Sequence, residues 1–119
     1  MRTINDWVNE LAHNNYSLII VEGKKDKIAL NKLGIENVNS INEPIYLVIE
    51  KLVNHNKEII ILTDLDREGK KIYAKLKHEF QRYGIKINNK YRKFLIKHTK
   101  ITQIEGLPTY IKNNFKEFL

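Results

Sequence analysis

Two unbroken aliphatic runs, Leu18-Ile19-Ile20-Val21 and Ile59-Ile60-Ile61-Leu62, decide what this chain can fold into. Neither alternates apolar with polar residues, so each predicts a strand buried on both faces, as in a parallel sheet covered by helices. Both are far too short to cross a bilayer. Each is followed by an acid: Glu22 after the first, Thr63-Asp64 after the second. Around them the spacing of apolar residues turns helical. Asn5 is expected to cap an opening helix with Trp7, Val8 and Leu11 on one face, ended by Asn14-Asn15. A second helix from about Lys24 to Leu33 should bury Ile28, Ala29 and Leu33 and stop at Gly34 in a left-handed conformation. Residues 37–41 read as a short strand, and Asn42 and Pro44 open a helix carrying Ile45, Leu47, Val48, Leu52 and Val53 to the sheet. A longer helix, Arg67 to Tyr83, stripes Ile72, Leu76 and Phe80 and ends at Gly84. Ile85-Lys86-Ile87 predicts a fourth strand; a basic helix near 89–98, a short strand at 101–104 and a C-terminal helix from about Pro108 follow.

Strand and helix alternate, so the expected class is α/β: a mostly parallel, four-stranded, Rossmann-like sheet with helices on both faces. With 119 residues and no linker, repeat or low-complexity tract, one domain spanning 1–119 is expected, with helices 4–14 and 108–119 flanking its core. No cationic start precedes an apolar core with a small-residue cleavage site, and the expected location is cytoplasmic.

The chain has no cysteine, which removes disulfides, thiolate nucleophiles and sulfur-held zinc together. His13, His55, His78 and His98 are scattered without metal-ligand spacing and read as surface residues. A metal would therefore be held by oxygen, which favours Mg2+ or Mn2+. The net charge of +7 is uneven: residues 1–66 hold 7 basic and 10 acidic residues, residues 67–119 hold 14 and 4. Arg82, Lys86, Lys90, Arg92, Lys93, Lys97 and Lys100 all fall between Glu79 and Glu105 with no acid among them. Such a one-sided basic surface attracts polyanions, although a lysine-rich face can also be merely solvated.

In open parallel sheets, ligands bind beyond the carboxyl ends of the strands, where the chain reverses its direction across the sheet. If the two aliphatic strands are neighbours, Glu22, Asp64 and Asp66 meet there. Asp64 and Asp66 are two residues apart, so extended backbone points both side chains the same way. Their repulsion is relieved by a cation between them or by a proton on one. Gly23 and Gly69 permit tight turns and close approach, and Lys24, Lys25, Arg67, Lys70 and Lys71 lie at helix starts, where free amides already favour anions. Carboxylates for a metal beside cations for phosphate suit phosphoryl transfer. The plainer alternatives are helix capping for the aspartates and a lysine salt bridge for Glu22.

Val21-Glu22-Gly23-Lys24-Lys25-Asp26 resembles the first motif of the Toprim family, and Leu62-Thr63-Asp64-Leu65-Asp66-Arg67-Glu68-Gly69 resembles its Asp-x-Asp motif, close to the version in type IA topoisomerases. The resemblance covers about residues 16–105. Toprim domains occur in topoisomerases, bacterial-type primases, OLD-family nucleases, recombination-repair proteins and ribosomal-RNA maturases. The resemblance implies that Glu22 is a general acid/base and that Asp64 and Asp66 hold Mg2+. Glu68 extends the pattern to Asp-x-Asp-x-Glu as a further ligand, or is simply an acid favoured in a helix's first turn. Ile104-Glu105-Gly106 is similar to a Val-Glu element of the maturases. Lys24 and Arg67 head the expected phosphate contacts, with Lys25, Lys70, Lys90, Arg92 and Lys93 beside them.

The chain has no room for the separate domain that carries the topoisomerase tyrosine, nor for a primase's additional domains. Tyr83, Tyr91 and Phe94 could stack on unpaired bases or pack in the core. The leading expectation is a Mg2+-dependent nuclease acting on RNA or DNA, with RNA processing, as in the maturases, among its possible tasks. The alternative is a nucleic-acid-binding module whose catalytic or targeting elements come from a protein partner. A receiver- or phosphatase-like phosphotransfer protein fits less well: receivers pair two acids after their first strand, and the phosphatases place Asp-x-Asp on theirs.

Overall fold

The structure is a computed structural model and describes residues 1–54 and 57–115. His55 and the end of the expected C-terminal helix, 116–119, lie outside the described residues. Helix α1 (Ile4–Ala12) precedes strand β1 (Leu18–Val21); α2 (Lys24–Lys32) leads to β2 (Val38–Ser40), and α3 (Ile45–Leu52) to β3 (Ile59–Ile61). Helices α4 (Arg67–Arg82) and α5 (Lys90–His98), a 3-10 turn (Ile104–Gly106) and α6 (Leu107–Phe115) complete the chain.

The sheet is parallel with order β2-β1-β3. Ile19 pairs with Val38 on one side and with Ile60 on the other, so β1 is central. The continuous aliphatic runs are explained by cover on both faces. Ile19, Val21, Ile60 and Leu62 join Trp7, Leu11, Leu30, Phe94, Leu95 and Leu107 on one side. Leu18, Ile20, Ile59 and Ile61 join Ile49, Leu76 and Phe80 on the other. α1, α2, α5 and α6 thus cover one face, α3 and α4 the other. The Trp7 indole Nε1 donates to the Tyr91 carbonyl at 3.0 Å, tying the first helix to α5.

The sheet has three strands rather than four. Ile85-Lys86-Ile87 makes one isolated parallel bridge, Ile59 to Ile87, and then turns into α5. Thr63, farther along the same outer edge, gives its carbonyl to the Arg92 guanidinium at 2.6 Å instead of to a strand. The stretch 101–104 is likewise not a strand: Thr102 accepts the Leu65 N–H at 2.8 Å, and a 3-10 turn follows. Thr3, not Asn5, caps α1, because its hydroxyl accepts the Asp6 N–H while the Asp6 carboxylate accepts the Thr3 N–H. Ile28 is exposed and Leu30 takes its place in the core. Gly34 has φ 84°, the left-handed stop its position requires. Among the described residues no helix is long and apolar enough to cross a membrane.

Candidate metal centre and its surroundings

The chain runs from β1 through α2 to one side, then crosses back through α3 to β3 on the other side of β1. The reversal opens a crevice between the carboxyl ends of β1 and β3. Glu22 and Asp64 flank that crevice, and Asp66 is the N-cap of α4. One carboxylate oxygen from each of the three lies within 4.8 Å of the others.

Backbone N–H groups hold each carboxylate by one oxygen. Glu22 Oε1 accepts from Asp64 N at 2.9 Å, Asp64 Oδ1 from Ile104 N at 2.9 Å, and Asp66 Oδ1 from Gly69 N at 2.8 Å. Among the described residues no hydrogen bond to the second oxygen of any of the three is formed, and no lysine or arginine makes an ion pair with them. Capping of α4 by Asp66 is therefore real and leaves an oxygen over, so the capping and metal-holding readings are compatible. The salt-bridge alternative for Glu22 does not hold.

The charge is uncomfortable without a cation. Burial pushes the Glu22 carboxyl above its ordinary pKa, with the charges of Asp64, Asp26 and Asp66 adding to the rise against the Asp64 N–H. Burial also raises Asp64, assisted by Asp66 and Glu105 and opposed by the Ile104 N–H and by Arg92. A half-buried, all-oxygen, triply acidic cluster has the donor set of a divalent-cation site and suits a hard ion best.

The turn that carries the aspartates is packed tightly. A Cβ on Gly69 would lie 1.9 Å from the Asp64 carbonyl oxygen, so only glycine lets α4 begin this close to β3. The Thr63 hydroxyl, fully buried, donates to the Gly69 carbonyl at 2.7 Å. Gly23 shows no such crowding: its nearest neighbour would be the Asp26 carboxylate at 3.8 Å.

Lys24, Lys25, Arg67 and Lys70 stand exposed at the starts of α2 and α4, beside the acids, and Glu68 is exposed in the first turn of α4 outside the cluster of three. Arg92 lies elsewhere than a phosphate ligand would. It is 3% exposed. Its Nη1 donates to the Thr63 carbonyl, its Nη2 to the Asp64 carbonyl at 3.0 Å, and its guanidinium stacks 4.5 Å from the Tyr73 ring centre. Lys90 is paired with Glu10 at 3.1 Å, while Lys93 is exposed on the outer side of α5. Tyr91 and Phe94 are core residues, so base stacking by them is excluded; Tyr83 is exposed.

Sequence reasoning assigned no role to Asp26. Its carboxylate is buried and accepts the Gly23 N–H at 3.1 Å, fixing the loop after Glu22. Burial, then the charge of Asp64, raises its pKa. The signal was an acid three residues after the N-cap, the half of a capping box that a glycine N-cap leaves possible, hidden inside a stretch read for its lysines.

The fold, the crevice and the acidic trio together define a class, and the comparison of sequences agrees. The sequence model of the Toprim domain matches residues 17–104, and the chain belongs to the Toprim family. It is similar to small UPF0292 proteins of archaea. One from Methanocaldococcus jannaschii is 43% identical over 98 residues, covering 78% of this chain and 77% of that protein. One from Methanosarcina barkeri is 35% identical over 119 residues, covering 93% and 82%. A solved structure of a protein from Aquifex aeolicus shares the fold with a TM-score of 0.82 at 34% identity, covering 88% of this chain and 98% of that one.

Proposed function

We propose that this Toprim protein hydrolyses nucleic-acid phosphodiesters with Mg2+ or Mn2+ held by Asp64, Asp66 and Glu22. The observation that carries the reading is the set of three half-buried carboxylates, each anchored by a backbone N–H through one oxygen and, among the described residues, in no ion pair with a lysine or arginine. A bound ion would neutralise charge on a phosphate oxygen. The chain's own residues do the rest. Glu22, whose pKa burial raises above that of an ordinary carboxylate, is suited to exchange a proton, the property of a general acid/base. Asp64 and Asp66 stay fixed because the Ile104 and Gly69 amides hold them. Lys24, Lys25, Arg67 and Lys70 sit where a phosphate beside the acids would need counter-charge. Arg92 acts from behind, as a positioning residue that fixes the carbonyls of the Thr63-Asp64 turn.

The test is a cleavage panel of labelled structured RNA, duplex DNA and gapped DNA with Mg2+ or Mn2+. Cleavage is expected in the wild type and lost by 100-fold or more, as roughly estimated for removal of an acid/base or charge-stabilising group, in Glu22→Gln and Asp64→Asn. Cleavage that survives both substitutions contradicts the reading. Tight, salt-sensitive binding with no cleavage anywhere on the panel favours the binding-module alternative.

A further inference from the structure

The outward side of α4 plays no part in holding the acids, yet it starts at them. Over the 16 residues of this helix, Arg67, Lys70, Lys71, Lys75 and Arg82 are exposed and Lys77 partly so, with Ala74, His78 and Gln81 between them. At 3.6 residues per turn these positions share the outward half of the helix, opposite the buried Gly69, Leu76 and Phe80. The two acids of α4, Glu68 and Glu79, are 11 residues apart, about three turns, and so lie together on one flank. Glu79 is already paired with Arg82 at 3.2 Å. The remainder, from Arg67 to Lys77, is a strip of positive charge about 15 Å long at a rise of ~1.5 Å per residue. Its first cation, Arg67, follows the metal-cluster residue Asp66.

We propose that this strip is the track on which the sugar-phosphate backbone of a double-stranded nucleic acid docks, leading a phosphodiester to the acidic rim. The proposal rests on the nucleic-acid reading above and adds where the strand lies and in what form. Two observations favour a duplex. The cations repeat along a straight rod: Arg67, Lys71 and Lys75 are about 6 Å apart along the axis, matching a regular polyanion. The strip carries no phenylalanine, tyrosine or tryptophan, whereas surfaces that hold single strands stack bases on such side chains. Tyr73, the one tyrosine within α4, is half-buried and stacked against Arg92. Contact through the backbone alone also means little sequence preference.

The experiment measures binding of the full-length protein to a duplex DNA, a duplex RNA and a single strand, in EDTA, between 50 and 200 mM salt. The variants are Lys71→Gln/Lys75→Gln on α4 and, as a control of equal charge change, Lys97→Gln/Lys100→Gln at the end of α5 and just beyond it, both exposed. Glutamine keeps helix propensity, and far-UV circular dichroism checks that both variants fold. The wild type is expected to bind duplex with a steep salt dependence. The α4 variant should lose about 1.8 from the slope of log K against log salt, about 0.9 for each phosphate contact. Over this fourfold salt range that removes about tenfold of the wild-type loss in affinity. The α5 variant should keep the wild-type slope. Equal slopes for the wild type and the α4 variant overturn the track and leave the nuclease reading standing. Preference for the single strand overturns the track in the same way. No binding to any of the three overturns the track as well, while the metal-dependent nuclease reading stands or falls by the cleavage panel.

Discussion

Helices α4 and α5 are both basic in sequence, but they use their charge in opposite ways. On α5, Arg92 turns inward to the carbonyls of Thr63 and Asp64, and Lys90 is neutralised by Glu10. Ile96, 55% exposed, interrupts what remains of its outer face between Lys93 and Lys97. On α4, Arg67, Lys70, Lys71 and Lys75 are exposed and make no ion pair among the described residues, and only Arg82 in the last turn is neutralised, by Glu79. Charge density along the sequence therefore says little about where a polyanion binds; what each cation already touches decides it. α5 spends its strongest cation on building the metal rim, and α4 leaves its cations on the surface beside that rim.

The sharpest way to break this contrast is Arg92→Met. It leaves the Thr63 and Asp64 carbonyls without their guanidinium donor, takes one of two partners from the Thr63 hydroxyl, and removes a charge that opposes the acids' repulsion. The cost is expected to be about 3 kcal/mol of stability, or a fall of roughly 12 °C in melting temperature for a chain of this size. Metal affinity should also fall by about tenfold, as for other residues that orient ligands, with Arg92→Lys recovering part of it. Lys71→Gln/Lys75→Gln, in contrast, should change stability by no more than about 0.5 kcal/mol. Equal losses from both would dissolve the distinction.

Gly69→Ala probes the junction that lets α4 start beside β3. A methyl group 1.9 Å from the Asp64 carbonyl oxygen forces the turn to move, at a cost of about 2 kcal/mol, and should misplace Asp66 with it. Thermal melts with and without Mn2+ check both effects.

A smaller, opposite effect is expected from Asp64→Asn. The amide can keep an oxygen on the Ile104 N–H while removing one charge from the cluster, so the metal-free melting temperature should rise by a few degrees. The pH dependence follows from the same charge. Glu22, Asp26 and Asp64 all have raised pKa values in the folded chain, with burial as the first cause. The folded state then binds more protons than the unfolded state above the ordinary carboxylate pKa of about 4. By linkage, these groups make the metal-free protein lose stability as pH rises through that window, and the loss persists above it. Melts from pH 4.5 to 8 should show a shallower decline in Asp64→Asn than in the wild type, and added Mn2+ should stabilise the wild type more at the alkaline end.

What could be read from the sequence follows the same division between backbone patterns and side-chain partners. The strands were legible because residues 18–21 and 59–62 are aliphatic without interruption, and only burial on both faces explains that. The acids could be placed because strand ends and the β1/β3 neighbourhood fix their positions. The fourth strand failed because three residues, Ile85 to Ile87, carry too little pairing to compete with the turn into α5 and with Arg92 taking the Thr63 carbonyl. Arg92 and Asp26 were misjudged or passed over for a common reason: their roles depend on partners 28 or 29 residues away for one, and on burial by the whole fold for the other.

The central claim is that Glu22, Asp64 and Asp66 form one cation site. Titration of Mn2+ into metal-free protein at pH 7.5, followed by the loss of the free-ion electron paramagnetic resonance signal, tests it most directly. The wild type should bind Mn2+ saturably, Mg2+ should compete, and Asp64→Asn should abolish the binding while melting at or above the wild-type temperature without metal. Saturable binding that is unchanged in Asp64→Asn, or none in the wild type, would contradict the account.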